Sequence, residues 1–423
     1  LVMVVTATFA TWFGSESVLG TPGQFIKNGL EGVVEEPVGS SMALILVGVF
    51  FARKLYKMSL LTVGDFYRRR YGVSVELVCS IFVVLSYLGW VAAQVAALGL
   101  TEGYISVSVA MIIGTIVVLI YTVFGGMWSV ALTDFFQMII IVIGLALVAV
   151  FASSMAGGVQ NVTSYAVDHD LFRFFPENSV KGWLFWISAA ITMMIGSIPQ
   201  QDVFQRVMSA KTARIACIGP IIGGSFYLVF AAIPMFIVVA ASVAVPDMAA
   251  GLMNTDPQEI LPTFIKEHMP LWLRILFFGA VLSAVMSTAS ATMLAPTTTF
   301  VENALRNIIP LSDKRELRAM RISLIIFALG VLAYSLSMEG TPIYELAAMA
   351  YQFPVSGAFW PLTLGLYWKR STTFGCWFSI FVGTVVWSYL TFTTMGEEIP
   401  ALLGGFVAAG LAQVVGSLIP MKM

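Results

Sequence analysis

The segment GAVLSAVMSTASATMLAPTTTF, residues 279–300, carries the side chains best suited to binding an ion. It is an apolar stretch crowded with hydroxyls, at Ser283, Ser287, Thr288, Ser290 and Thr292. Sodium is a hard cation that prefers oxygen ligands, and hydroxyls and free carbonyls supply them. Small hydroxylated residues also pack membrane helices together. The segment therefore predicts either a cation site or a packing face.

Two other apolar stretches are interrupted in their middle by polar residues, Gly and Pro. The first is ATFATWFGSESVLGTPG, residues 7–23, with Glu16 inside it, and the second is MMIGSIPQQDVFQR, residues 193–206, with Gly196 and Pro199. Kinks of this kind are common in transmembrane helices. Broken helices at matching positions of two halves, however, are typical of inverted-repeat transporters, which bind substrate and ion at the breaks. We predict breaks at about 11–16 and 196–201.

A single acid, Asp134 in GGMWSVALTDFFQ, lies near one end of a further apolar stretch. An isolated buried carboxylate is costly, so it predicts a cation partner, unless this end of the helix is solvated.

Composition requires that these segments lie in a bilayer. Hydrophobic residues make up 59% of the 423-residue chain and charged residues 11%, whereas soluble domains have about 25% charged residues. Apolar runs of about 20 residues without strand alternation predict transmembrane helices rather than a barrel. The net charge of −1 predicts no nucleic-acid partner, and Cys79, Cys217 and Cys376 suggest neither a disulfide framework nor a metal site. No nucleophile–base pair is visible, so we expect no enzyme.

The sequence predicts an all-α membrane protein of about twelve spans. Their approximate ranges are 1–20, 36–56, 74–101, 105–124, 129–152, 183–200, 215–245, 271–301, 319–337, 342–367, 373–393 and 399–420. The linkers 153–182 and 246–270 are too short for separate domains. Because the chain begins in an apolar run without Met, we expect a leading segment to precede it.

Lys and Arg predict the orientation of these spans. All but five of the 22 basic residues fall in loops on one side of the membrane, the exceptions being Lys27, Arg173, Lys181, Lys266 and Arg274. We call the side that carries residues 53–70, 206–214, 306–321 and 369–370 the basic side. The positive-inside rule places it in the cytoplasm, together with the start of span one and the end of the chain. The expected location is the cell membrane, or the inner membrane in a bacterium.

Four motifs together resemble the sodium/solute symporter family, which includes the sodium-glucose, proline and sialic acid carriers. They are GDFYRRRYG at 64–72, YTVFGGMWSVALTDFFQ at 121–137, IPQQDVFQRVMSA at 198–210 and SAVMSTAS at 283–290. TATFATWFG, ISVSVAMIIGTIVVLIYTVFGG and QRVMSA are most similar to the high-affinity choline carrier branch. The resemblance implies one transmembrane domain, 1–423, with a leucine-transporter-like 5+5 core. Its repeats would be about 1–152 and 183–367, with extra helices at about 373–420.

The resemblance also implies sodium (Na+) sites. The first would use the carbonyls of Ala10, Phe13 and Ala284 with the hydroxyls of Ser287 and Thr288. Some members hold a second sodium, for which Asp134, Ser287 and Ser290 fit, but Ala291 stands where those members have Ser.

The choline branch surrounds its substrate with aromatic rings, which bind quaternary ammonium groups by cation–π attraction. Trp12 and Trp90 match that branch and Trp186 matches as well, but Gln200 and Ala347 replace two expected tryptophans. Gln200 and Gln201 offer amide hydrogen bonds instead. We expect a pocket of Trp12, Trp90, Gln200, Gln201, Tyr87 and Tyr351 for a small amino-acid-like zwitterion or a quaternary amine.

The function predicted is therefore sodium-coupled import of a small organic solute by alternating access. The alternatives are a sensor module of the same family, a symporter for a monocarboxylate or sugar, and a channel. The sequence predicts no oligomeric state.

Overall fold

The computed structural model describes residues 1–99, 106–309 and 312–420, with the side chains of 126–131 and 313 outside the description. In that part of the chain the regular structure is helical and no strand occurs, which confirms the all-α prediction. In lipid every backbone polar group needs an internal partner, and a helix provides one within its own segment. Three predicted positions lie outside the described residues: the end of span three at 101, the start of span four at 105, and Lys422.

The α-helices follow the predicted spans in order. The first eight are α1 (Val2–Trp12), α2 (Thr21–Asn28), α3 (Ser40–Leu46), α4 (Ala52–Tyr56), α5 (Val63–Tyr71), α6 (Val73–Gly99), α7 (Val107–Met155) and α8 (Val159–Asp168). The next seven are α9 (Val180–Gly196), α10 (Gln201–Met208), α11 (Ala213–Phe230), α12 (Ala232–Ala244), α13 (Pro246–Met253), α14 (Ile260–His268) and α15 (Leu271–Thr299). The last six are α16 (Arg306–Ile308), α17 (Asp313–Ser337), α18 (Ile343–Met349), α19 (Phe359–Tyr367), α20 (Thr373–Thr391) and α21 (Ala401–Leu418).

Wider π-helical turns join several of these helices into longer rods, at Glu16–Gly20, Val34–Gly39, Val47–Phe51, Phe300–Leu305 and Pro354–Ala358. Among the described residues, nine helical rods are long and apolar enough to cross a membrane, and two bent pairs bring the number to 11. Predicted span ten is the shorter pair α18 and α19 with its π-helical turn. Predicted spans four and five both lie within α7, as Val107–Gly125 and Leu132–Met155, which are two of the nine. The two linkers contain α8, α13 and α14.

Both predicted helix breaks are confirmed. α1 ends at Trp12 and its continuation, Glu16–Asn28, leaves at 62°, while α9 ends at Gly196 and α10 leaves at 44°. Phe13 has left helical geometry (φ −87°, ψ 72°). Pro199 disfavours a helical residue before it, and Gln200 is extended (φ −78°, ψ 147°).

The broken helices lie in the centre of the bundle. α1 packs against α7, α10, α11 and α15, and α15 packs against α6 and α7. Apolar side chains such as Ile113, Val150 and Ile326 are exposed on the outer helices. Hydroxyls and carboxylates are buried instead, including Glu16 and Asp134. Polar groups inside and apolar groups outside are the arrangement that lipid requires.

Candidate functional site

The break of the first helix contacts the hydroxyl-rich helix α15. Ser287 and Thr288 donate their hydroxyl protons to the carbonyl oxygen of Ala10, at 3.1 and 3.4 Å. Ala284 lies one turn earlier on α15 and is fully buried. Phe13 is buried too, and its ring stacks on Phe9 with 5.0 Å between centroids. The structure therefore brings together the segments that carry the five predicted first-sodium residues.

Asp134 lies beside the same hydroxyls. Its Oδ1 accepts a 2.5 Å hydrogen bond from Ser287, and its Oδ2 is buried with no hydrogen-bond partner among the described residues. Ser290, by contrast, donates to the carbonyl of Ser287 at 2.9 Å. Buried polar atoms almost always have partners. The orphaned carboxylate oxygen fits a bound cation.

Four buried aromatic residues of the predicted pocket form one cluster. The ring of Trp90 lies 5.5 Å from that of Trp12, edge to face, and 6.1 Å from that of Tyr87, stacked. The ring of Tyr351 lies 5.9 Å from that of Trp90 and is tilted by 48°. The cluster joins α1, α6 and the α18–α19 region next to both helix breaks.

The donor edges of these rings point at two buried carboxylates. Asp202 accepts hydrogen bonds from Trp12 Nε1 (2.9 Å) and from the Tyr87 hydroxyl (2.6 Å). Glu16 accepts one from Trp90 Nε1 (2.9 Å) and one from Gln94 Nε2 (2.7 Å). Each helix break thus contributes a carboxylate held by aromatic and amide donors, and this negative environment favours a cationic ligand.

The two glutamines of the predicted pocket diverge. Gln200 donates to Ser86 on α6 at 3.2 Å, beside Tyr87, and its Oε1 has no partner among the described residues. Gln201 accepts a hydrogen bond from the Val63 amide at the start of α5 (2.9 Å). It lines a separate cavity of about 700 Å³ toward the basic side.

Trp186 and Ala347, the two other positions compared with the choline branch, add no ring to the aromatic cluster. Trp186 donates to the carbonyl of Phe174 at 2.8 Å and packs in a second aromatic group with Phe175 and Trp183. Ala347 is buried on α18 and offers no ring.

Arg206 connects the halves of the two broken helices that face the basic side. It is 8% exposed, and its guanidinium donates to the carbonyls of Ala7 (3.2 Å) and Asp202 (2.8 Å) and to the hydroxyl of Thr11. These contacts hold α1 against α10.

The sequence predictions gave no role to Asp202 or Gln94 and treated Glu16 only as an interruption. They counted Arg206 only as a basic loop residue, whereas it is buried on α10. Asp202 and Arg206 stand inside the motif IPQQDVFQRVMSA, and charged residues within a membrane span are the signal that marks them as functional candidates. Gln94 had no such signal, because its position opposite Glu16 depends on how α6 packs against α1.

Known proteins resemble this chain in sequence. The high affinity choline transporter 1 of Homo sapiens is 29% identical over 391 residues, covering 86% of this chain and 65% of that protein. The corresponding Caenorhabditis elegans transporter is 28% identical over 403 residues, covering 91% of this chain and 68% of that protein. The sodium/pantothenate symporter of Escherichia coli K12 is 26% identical, covering 99% and 89%. The chain thus spans about two thirds of the length of these choline transporters.

Solved structures share the fold. The outward-open, substrate-bound Na+-coupled sialic acid symporter superposes with a TM-score of 0.84 at 17% identity, covering 98% of this chain and 89% of that one. MhsT in complex with L-phenylalanine gives a TM-score of 0.63 at 14% identity, covering 98% and 97%. These matches confirm the predicted leucine-transporter-like fold.

The family model of the sodium:solute symporters matches residues 1–383. With the broken helices and the hydroxyl-rich α15 in place, this match shows that the chain belongs to the sodium:solute symporter family, whose members are sodium-coupled, multi-pass membrane transporters.

Proposed function

We propose that this protein imports a small organic solute with a positively charged nitrogen, either a quaternary amine or an amino-acid-like zwitterion, together with sodium. The observation that carries the proposal is the cluster of Trp12, Trp90, Tyr87 and Tyr351 beside the carboxylates of Glu16 and Asp202. Ring faces attract a cationic nitrogen, and buried carboxylates favour positive charge.

A purely anionic substrate is less well supported by this site. A substrate carboxylate needs donors, and the guanidinium of Arg206 is already engaged by Ala7, Thr11 and Asp202. The amide of Gln200, next to the aromatic cluster, supplies a neutral donor for the acidic end of a zwitterion. Several relatives are high-affinity choline transporters, which supports the amine class for this chain.

The contact of α1 with α15 would couple sodium binding to substrate binding. Sodium held by the carbonyl of Ala10 and the hydroxyls of Ser287 and Thr288 would stabilise this contact, and the substrate cluster lies on the same broken helix. A shared helix lets each ligand strengthen binding of the other.

Release follows the path toward the basic side, which we place in the cytoplasm. The cavity of about 700 Å³ on that side is lined by residues of α4, α10, α15 and α17, with Gln201 among them. Separation of α1 from α10 would join this cavity to the aromatic cluster, which is the inward-open step of alternating access.

The first prediction concerns the substrate class. The measurement is uptake into proteoliposomes of labelled choline, glycine betaine, proline, pantothenate, lactate and glucose, with and without an inward sodium gradient. We expect sodium-dependent uptake of choline, glycine betaine or proline. Trp90→Phe removes the donor that holds Glu16 in place and replaces the indole face with a phenyl ring, which attracts a cation less strongly. The concentration for half-maximal uptake should rise roughly tenfold or more.

Trp186→Phe is the matched control, because it changes a tryptophan outside the cluster and should leave uptake unchanged. Uptake of lactate or glucose alone would contradict the proposed substrate class. Equal uptake without sodium would contradict the coupling, and sodium binding without uptake of any solute would favour the sensor alternative.

A further inference from the structure

A cavity of about 910 Å³, which we call the outer cavity, lies among α9, α20 and α21. Lys181 and the segment between the last two spans line it, and both are predicted on the side opposite the basic side. No ring of the aromatic cluster is part of its described wall. Gln352 of that wall is next in sequence to Tyr351, so the outer cavity adjoins the aromatic cluster without sharing its side chains.

The wall carries negative charge that the described part of the chain does not balance. Glu35 and Glu397 both line the cavity, and neither forms an ion pair with a described Lys, Arg or His. Lys181 is the basic residue of the described wall, and its ammonium is already paired with Glu398 at 3.1 Å. Glu35 is only partly exposed, and such charges are screened less than surface charges. The cavity therefore favours a cation.

Two polar atoms of this wall have no hydrogen-bond partner among the described residues. They are Glu35 Oε2 and Thr393 Oγ1, and both are buried. Buried polar atoms almost always have partners, so water or a ligand completes the wall. Water can satisfy the hydroxyl of Thr393, but it does not neutralise the carboxylate of Glu35.

Size and aromatic rings indicate the class of cation. Trp387 and Phe185 line the cavity, and the ring of Trp387 is held by that of Phe353, with 5.5 Å between centroids. Pockets for small molecules measure about 300–1,000 Å³, whereas one water molecule takes about 30 Å³. The outer cavity is thus far larger than a bare metal ion needs, and rings beside a carboxylate suit an organic ammonium group.

We propose that the outer cavity binds a second molecule of small organic solute, through its positively charged nitrogen, at Glu35 and Trp387. The proposal rests on the amine class proposed above and adds a binding site for it. A solute held there contacts α9, the first half of the second broken helix, before it reaches the aromatic cluster.

The test measures how fast a cysteine in the wall is modified, in purified protein in detergent without sodium or phospholipid. Ala401→Cys, at a partly exposed position of the wall, is made in a Cys217→Ser background. Methanethiosulfonates carrying trimethylammonium or sulfonate are compared. The ratio of the cationic to the anionic rate should fall severalfold in Glu35→Gln. Glu177→Gln, at an exposed glutamate outside the wall, is the matched control and should leave the ratio unchanged.

Choline is the probe for the ligand class. It should slow modification of Ala401→Cys by uncharged methyl methanethiosulfonate. The choline concentration that halves the rate should rise roughly tenfold in Glu35→Gln and severalfold in Trp387→Leu, because each removes one attraction for the cation. Trp377→Leu, on the same helix but outside the described wall, should leave that concentration unchanged.

Trp90→Phe separates the outer cavity from the aromatic cluster. Trp90 is not part of the described wall of the outer cavity, so this variant should be protected by the same concentration of choline as the unaltered wall. Absence of protection by choline, protection unchanged in both Glu35→Gln and Trp387→Leu, or protection weakened equally in Trp90→Phe would overturn the outer site. Protection as expected in a protein that transports no amine would instead contradict the proposed function and leave the outer site standing.

Discussion

At the scale of single residues, Ser287 stands at the junction of two predicted ion sites. Its hydroxyl oxygen lies 3.1 Å from the carbonyl oxygen of Ala10 and 2.5 Å from Asp134 Oδ1. A hydroxyl has one proton and satisfies one of these acceptors at a time. The other acceptor is then left without this proton, and Asp134 Oδ2 has no partner among the described residues. A cation would satisfy them together.

The second prediction concerns this hydroxyl. Ser287→Ala should raise the sodium concentration for half-maximal transport roughly tenfold, because loss of a hydrogen-bonding partner of a charged group costs about 1.5–3 kcal/mol. By linkage, apparent substrate affinity at fixed sodium should fall, and excess sodium should restore it. The measurement is the sodium dependence of uptake into proteoliposomes.

Thr297→Ala is the control for this variant. Thr297 is buried on the same helix, but its hydroxyl bonds to the carbonyl of Met293 within that helix. A folded Ser287→Ala variant with unchanged sodium dependence would remove Ser287 from the site.

At the scale of elements, α5 connects the second broken helix to the far end of α15. The Val63 amide binds Gln201, while Asn303, in the π-helical turn after α15, donates to Asp65 (3.3 Å) and Glu76 (2.9 Å). Thr62 and Asp65 cap the start of α5 reciprocally, which fixes its direction. A short helix thus links the helix expected to bind substrate with the helix expected to bind sodium.

The third prediction tests this link through Gly64. A Cβ at that position would lie 2.4 Å from Asn303 Cγ, so Gly64→Ala must displace the Asn303 amide, which donates to Asp65 on α5. We expect the cavity on the basic side to open more often. A cysteine introduced at Gln205, which lines it, should react with maleimide several times faster in a Cys217→Ser background.

Gly330→Ala is the matched control, since its Cβ would meet nothing within 4 Å. Equal labelling rates in Gly64→Ala and Gly330→Ala would show that the contact of α5 with Asn303 does not restrain the cavity.

The sequence predicted the elements better than the contacts between them. Gly, Pro and polar residues inside apolar runs locate both breaks, because these residues disrupt helices wherever they stand. The partners of Asp202, however, come from Trp12, 190 positions away, and from Tyr87. Gln200 and Gln201 are adjacent in sequence, yet one meets Ser86 and the other α5. Such directions depend on helix packing and on the geometry after Pro199, which periodicity does not reveal.

At the scale of the whole molecule, loops predicted to share a membrane side contact one another. On the basic side, Arg70 donates to the carbonyl of Ser371 (2.7 Å) and Arg68 to Asn307 (2.9 Å). On the opposite side, Arg173 pairs with Glu31 at 3.1 Å. These contacts agree with the membrane sides predicted for these loops from Lys and Arg. Which side faces the cytoplasm remains a prediction of the positive-inside rule.

The fourth prediction concerns this orientation. In intact cells a membrane-impermeant maleimide should label a cysteine at Asn178, an exposed position opposite the basic side, in a Cys217→Ser background. A cysteine at Lys57, exposed on the basic side, should be labelled only after permeabilisation. Labelling of Lys57→Cys in intact cells would reverse the topology.

The contacts of Arg206 also bear on how this protein responds to cold. Separating α1 from α10 breaks the bonds from its guanidinium to the carbonyl of Ala7 and the hydroxyl of Thr11. In an apolar medium a hydrogen bond is worth about 4–6 kcal/mol before water replaces it. Breaking these bonds gives opening an enthalpic cost, and a step with such a cost slows as temperature falls. Chilled preparations should accumulate in the conformation with α1 held against α10. In that conformation the transporter is closed on the basic side.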